Sequence, residues 1–263
     1  MPPSPYAEVN VTELAYLADG DAGYTRQFVA KVVALPPGGV VLDRTFFYPA
    51  GGGQPADHGS LALRDGPSYP VVDVTKSGAA AVHRVRRPTS TAAPALQIGA
   101  EVEGHLDWER RHRHMRLHTG QHLLSALIFE RTGLRTQEAT MSGSGGTVDL
   151  EGPLPSGATA EALASEANAI LSQGRSVSIR HVSREAWEKN PTPRSGLVAL
   201  PRHVDPVRII EIAGLDACPC GGTHVRSTIE VGGIALDPPV PLALGAVRLP
   251  FRLLDASPPT RPA

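Results

Sequence analysis

Two short segments, His118-Thr119-Gly120-Gln121-His122 and Cys220-Gly221-Gly222-Thr223-His224, constrain this chain more than any other feature. Apolar residues at Met115, Leu117, Leu123, Leu124, Leu127 and Ile128, with few breakers from Trp108 to Gly133, predict one long helix ending near the glycine. On such a helix His118 and His122 project about 40° apart, close enough for two imidazoles to grip one ion. His114 lies a further four residues back, so spacing alone leaves open which pair binds. In the second segment a thiolate and an imidazole are separated by three residues, two of them glycines, and can fold back onto one centre. Three nitrogens and one sulfur suit tetrahedral Zn2+. About a hundred residues separate the two halves, so they can meet only in a folded tertiary structure.

The only two cysteines, Cys218 and Cys220, are one residue apart, too close for an unstrained disulfide. They read as ligand, catalytic thiol or core residue in a reducing compartment. The N-terminus carries no basic region followed by an apolar run, and no segment approaches the roughly 20 apolar residues that span a bilayer. A cytoplasmic protein is expected. Hydrophobic residues make up 41% of the 263 and charged residues 19%, an ordinary globular balance that excludes a disordered chain. A formal net charge of −1 argues against nonspecific coating of nucleic acid, and an aromatic fraction of 5% against an extended base-stacking platform. Two local basic runs remain, His83 to Arg87 and Arg110 to Arg116.

Organisation follows from changes in pattern. Phe28 to Val33, Gly39 to Leu42, Val71 to Val74 and Ala81 to Val85 read as strands of a small barrel, with Pro88 to Pro94 a loop within it. The helix is followed by a strand pair with a glycine-rich turn, Thr136 to Leu150, and a second amphipathic helix, Thr159 to Gln173. Ser176 to Arg180 and Val207 to Ile212 read as strands. The expected fold class is α+β: a small N-terminal β-barrel-like domain over residues 1–107, an α/β two-layer domain with the zinc site over 108–255, and an unstructured tail over 256–263. Between the early strands, Phe46 to Asp57 contains three successive glycines, which let main-chain N–H groups approach a ligand but lack the Lys-Ser/Thr ending of a phosphate loop.

The segments Leu117-His118-Thr119-Gly120-Gln121-His122-Leu123-Leu124 and Cys220-Gly221-Gly222-Thr223-His224-Val225 resemble the editing domain of alanyl-tRNA synthetase, as does the run from Leu42 to Asp57. The chain is similar to the medium-length type of AlaX, the free-standing alanyl-tRNA editing family, from roughly Thr25 to Leu254. The resemblance implies a deacylase that hydrolyses seryl-tRNA(Ala) and glycyl-tRNA(Ala) and spares alanyl-tRNA. It implies one Zn2+ on His118, His122, Cys220 and His224, which decides against His114 as a ligand. Cys218 is not one of the four matched positions and is read as a thiol beside the ligands or, in preference, as a packed residue. Thr140 is the best match to the polar side chain that lines the family's pocket, and Gln121 is a second catalytic candidate. Gly51, Gly52, Gly53, Gln54, Asp57 and Arg111 are expected to contact substrate or tRNA, and His114 to lie near the entrance.

Three rival readings are weighed against this one. A zinc-stabilised RNA-binding module without catalysis would have a closed site and no adjoining pocket. A related domain edits threonyl-tRNA, but the glycine-rich motif favours the alanine system. A zinc peptidase lacks support, because Thr119 stands where the general-base glutamate of HExxH would be.

Overall fold

A computed structural model describes residues 11–87, 95–189, 200–201 and 204–254. The predicted loop from Pro88 to Pro94 and the predicted tail lie outside the described residues. The protein is a mixture of several sheets and few helices that divides into two compact units. The first comprises residues 1–51 and 55–112, and the second residues 52–54 and 113–263. No helix among the described residues is long and apolar enough to cross a membrane.

Six of the strands among the described residues of the first unit run antiparallel to their neighbours: β1 (Gln27–Ala34), β2 (Val40–Leu42), β3 (Gly59–Leu63), β4 (Ser68–Ser77), β5 (Ala80–Val85) and β6 (Glu101–Leu106). They pair in the order β1-β2-β5-β4-β3-β6, and β6 returns to β1 to close the ring. Closure gives each of these six strands a paired neighbour on both sides. The inside is filled by Phe28, Val32, Leu42, Phe47, Leu61, Val71, Val74 and Val102.

Strands β3 and β6 escape a reading by hydrophobic runs, because their apolar positions are diluted. In β6, Glu101, Glu103 and His105 alternate with Val102, Gly104 and Leu106. The inward position at Gly104 is filled from across the ladder, where a Cβ would sit 2.4 Å from the Phe28 ring. One phenylalanine therefore does the packing of two positions, and the strand looks polar in sequence.

Buried polar groups complete the first unit. Arg111 and Asp57 are both fully buried and form an ion pair. The guanidinium also donates to the carbonyls of Gly23 and Phe46, and Asp57 accepts from the Tyr48 N–H. His83 donates from Nδ1 to the Val40 carbonyl at 3.1 Å, so its Nε2 accepts from the Thr45 hydroxyl at 2.8 Å. Thr45 in turn accepts from the Phe47 N–H. Burial pushes the His83 pKa down to about 4, keeping the ring neutral.

Helix α1 (Trp108–Thr132) starts where the Asp107 side chain accepts from the Arg110 N–H and ends at Gly133, whose φ of 72° suits a C-terminal cap. The second unit then builds a hairpin from β7 (Thr136–Ser142) and β8 (Gly145–Leu150). Helix α2 (Ala160–Leu171) is capped by Thr159, which accepts from the Ala162 N–H. Strands β9 (Val177–Val182), β10 (Val207–Ile212) and β11 (Asp216–Pro219) form a separate three-stranded antiparallel sheet. β12 (Ile234–Leu236) and β13 (Val247–Leu253) extend the hairpin in the order β12-β13-β8-β7. Asn168 of α2 bonds both backbone groups of Ile234, fastening the helix to the sheet edge. The last two strands carry no clear sequence signal; Pro250 interrupts β13, and β12 is three residues long.

Candidate metal centre

Within the second unit the two halves of the ligand set converge. His118, His122, Cys220 and His224 each offer one ligand atom, and all four atoms lie within 4.8 Å of one another. The three histidines are buried and the cysteine half-buried. Cys220 Sγ is 3.5 Å from His118 Nε2 and 3.4 Å from His224 Nε2. A tetrahedral ion with bonds of about 2.3 Å to sulfur and about 2.0 Å to nitrogen places those two atoms roughly 3.5 Å apart. The donor set therefore fits such an ion in both chemistry and spacing. His114 is not among the four, although it is buried on the same helix.

Each imidazole has its other nitrogen engaged. His118 Nδ1 bonds Gln54 Oε1 at 2.8 Å, His122 Nδ1 bonds Asp216 Oδ2 at 3.2 Å, and His224 Nδ1 bonds Thr119 Oγ1 at 3.2 Å. Such partners fix the tautomer and turn Nε2 toward a metal. Thr119, at the position a peptidase would give to its glutamate, instead orients His224 and accepts from the Val225 N–H. The turn that carries Cys220 is held by Arg208, which donates to the carbonyls of Cys220 and Gly222 at 2.6 and 3.0 Å. The Gly222 N–H points at Cys220 Sγ at 3.3 Å.

The electrostatics favour a thiolate. Burial raises the Cys220 pKa, but the charges of His118 and His224 override it and hold the thiol well below its ordinary value. Burial also lowers His122, yet the hydrogen bonds to Asp216 and Cys220 prevail and push it up to about 9. His224 is held down by burial and by neighbouring His118.

The remaining expected site residues are scattered. Gln54, Gly52 and Gly53 belong to the second unit. Gly53 has a φ of 79°, and a Cβ there would sit 2.0 Å from the Ala139 carbonyl oxygen, so only glycine lets this segment lie against β7. Its own carbonyl accepts from the Met141 N–H at 2.9 Å. Thr140, the next residue on that strand, is exposed and shares a hydrogen bond of 2.9 Å with Thr147. Gln121 donates to Ser125, which also accepts from Thr136; the bonded atoms link α1 to β7 outside the ligand cluster. Gly51 lies in the first unit, where its carbonyl accepts from the Tyr48 hydroxyl.

Four of the residues expected near substrate or tRNA are buried: Arg111, Asp57, His114 and Gln54. Arg111 and Asp57 spend their charges on each other inside the first unit, and neither offers surface to a phosphate. His114 is 2% exposed. The basic run on α1 is thus not a continuous cationic face: Arg116 donates to the Val231 carbonyl, and Arg113 is its one exposed arginine. The run on β5 is broken in the same way by buried His83. Gln54 is 2% exposed with its polar atoms turned toward His118 and Thr223. Thr119, Asp216 and Arg208, which support the ligands, follow no spacing rule and escape a reading of the sequence. Their only sequence signal is that Thr119 lies inside the histidine motif.

Two protein-family models match parts of the chain: tRNA synthetases class II (A) over residues 19–110, and the threonyl and alanyl tRNA synthetase second additional domain over residues 207–237. The second contains Cys220 and His224. Both point to a protein of the synthetase-related class. An alanyl-tRNA editing protein AlaX-M of Methanosarcina mazei is 32% identical over 93% of this chain and 98% of its own length. The AlaX-M of Saccharolobus solfataricus is 32% identical over 86% and 92%. An alanine–tRNA ligase of Sulfurisphaera tokodaii is 32% identical over 87% of this chain but only 25% of the ligase. The chain belongs to the AlaX-M family of alanyl-tRNA editing proteins.

Proposed function

We propose that the protein hydrolyses the ester linking serine or glycine to tRNA(Ala), sparing alanyl-tRNA, at a centre holding one Zn2+ on His118, His122, Cys220 and His224. As a member of an editing family it is a deacylase, acting on mischarged tRNA(Ala). The observation that carries the reading is the convergence of the four ligand atoms from segments about a hundred residues apart.

An aminoacyl ester is already activated, so the site needs chiefly to position it and to stabilise developing negative charge. A metal held by these four residues would supply that positive charge or orient the substrate. The chain's own contribution is orientation and selection. Asp216, Thr119 and Gln54 hold the three imidazoles, and the close approach of Gly53 to β7 sets the Gln54 segment beside Thr140. Two hydroxyls, on Thr140 and Thr147, share one hydrogen bond, so one O–H remains to meet a serine hydroxyl. Alanine is smaller than serine and cannot be excluded by size. It can be disfavoured only by leaving a polar partner unmatched.

Incubation with Ser-, Gly- and Ala-charged tRNA(Ala), with and without a chelator, tests the reading. Loss of the serine and glycine esters, blocked by the chelator, is expected. Unchanged seryl-tRNA(Ala) would favour a non-catalytic zinc-stabilised RNA-binding module. The matched domain is shared with threonyl synthetases, so mischarged tRNA(Thr) belongs in the same assay as the second reading. A Thr140→Val variant is expected to lose serine-over-alanine discrimination. Full discrimination in that variant would remove Thr140 from the site.

A further inference from the structure

We propose that Gln54 is a positioning residue: its carboxamide binds the two ligand-bearing segments to each other and dictates which nitrogen of His118 faces the metal. The inference rests on the metal reading above.

The Gln54 side chain makes three contacts. Oε1 lies 2.8 Å from His118 Nδ1 and accepts from the Thr223 N–H at 3.1 Å, while Nε2 donates to Thr223 Oγ1 at 2.8 Å. The orientation of the amide follows from chemistry. A backbone N–H can only donate, so the atom facing Thr223 N must be the carbonyl oxygen; a flipped amide would set two donors against each other. The same oxygen faces His118 Nδ1 and cannot donate to it. Nδ1 must therefore carry a proton, which leaves Nε2, facing Cys220, as the nitrogen able to offer a lone pair.

Steric evidence points the same way. A Cβ on Gly222 would stand 2.2 Å from His118 Cε1 and 2.9 Å from Gln54 Oε1, so ring and amide both rest on a residue that has no side chain. Thr119 lies within one ligand-bearing segment and Asp216 four residues before the other. Gln54 belongs to neither and reaches both. At 2% exposure, removing its acceptor would strand two buried donors.

The test compares Gln54→Met, which keeps the volume but removes the acceptor, with Gln54→Glu, which keeps the acceptor. Zinc affinity is read by competition with a chromophoric chelator. The His118 tautomer in metal-free protein is read from imidazole 15N shifts. The methionine variant is expected to bind zinc about 10- to 100-fold more weakly and to lose the single Nδ1–H tautomer. The glutamate variant is expected to retain both. Parent-like affinity and tautomer in the methionine variant would overturn the role of Gln54. So would equal loss in both variants, which would mean that the acceptor is not the cause. Should the methionine variant fail to fold, loss of the tautomer in a folded glutamate variant would be equally decisive against it, and its retention would support it. If the parent itself takes up no zinc, the metal reading fails while the tautomer comparison still decides for or against Gln54.

Discussion

His83 of the first unit and His118, His122 and His224 of the second are all buried, yet they end their hydrogen bonds differently. His83 spends both ring nitrogens on the protein, one on the Val40 carbonyl and one on the Thr45 hydroxyl. The other three each spend Nδ1 on a protein oxygen and turn the second nitrogen toward one another and a thiol. The carboxylates repeat the contrast. Asp57 is closed off by Arg111, whereas Asp216 leans on an imidazole whose far side belongs to the cluster. A buried polar group that is fully used within its own fold holds that fold together. One left with a converging lone pair has a binding role.

The sharpest way to break this comparison is to remove a ligand. Cys220→Ala should reduce zinc binding and deacylation beyond the roughly 10- to 100-fold expected for loss of a mere ligand partner. Its unfolding midpoint in the metal-free state should match that of the metal-free parent. A large fall in that midpoint would show the cluster to be structural in the same sense as the first unit's polar core. Next in size is Arg111→Met, which leaves the Asp57 carboxylate buried without its cation. It should cost about 3–5 kcal/mol of stability in urea titrations, with zinc affinity of the folded protein unchanged.

The third effect is set by pH. The folded-state pKa of His83 lies near 4, below its ordinary value of 6.5, so the unfolded chain takes up the proton more readily. The stability it contributes is complete above about pH 6.5 and drains away as pH falls toward about 4, by about 3 kcal/mol in all. Urea titrations of the parent and a His83→Gln variant at pH 7 and pH 5 should show the smaller acid loss in the variant. Equal losses would place the acid sensitivity elsewhere.

Much of the site is legible in the sequence. Two motifs point to the clustered residues, with His114 left open by spacing and decided by the family resemblance, and α1 is read from its apolar positions and its terminal glycine, because these signals lie within one or two helical turns. Helix α2 and the β7–β8 hairpin are read in the same way. The basic runs show where that reading stops. Arg110 to Arg116 looks like a cationic face only until α1 is known to be buried on most sides; Arg111 then proves to be an internal partner of Asp57, 54 residues away. Strand β6 is similarly hidden, since the ring that packs it belongs to Phe28.

The chain by itself determined which residues can bind a metal, because donor chemistry and short spacing are local properties. Only the tertiary structure decided what holds those donors in place. Gln54, Thr119 and Asp216 meet their histidines across 64, 105 and 94 residues, and hydrogen bonds that span such distances leave no periodic trace in the sequence. The same reason hides the contact of Gln54: nothing in a polar residue beside a glycine-rich run shows that folding buries it against His118.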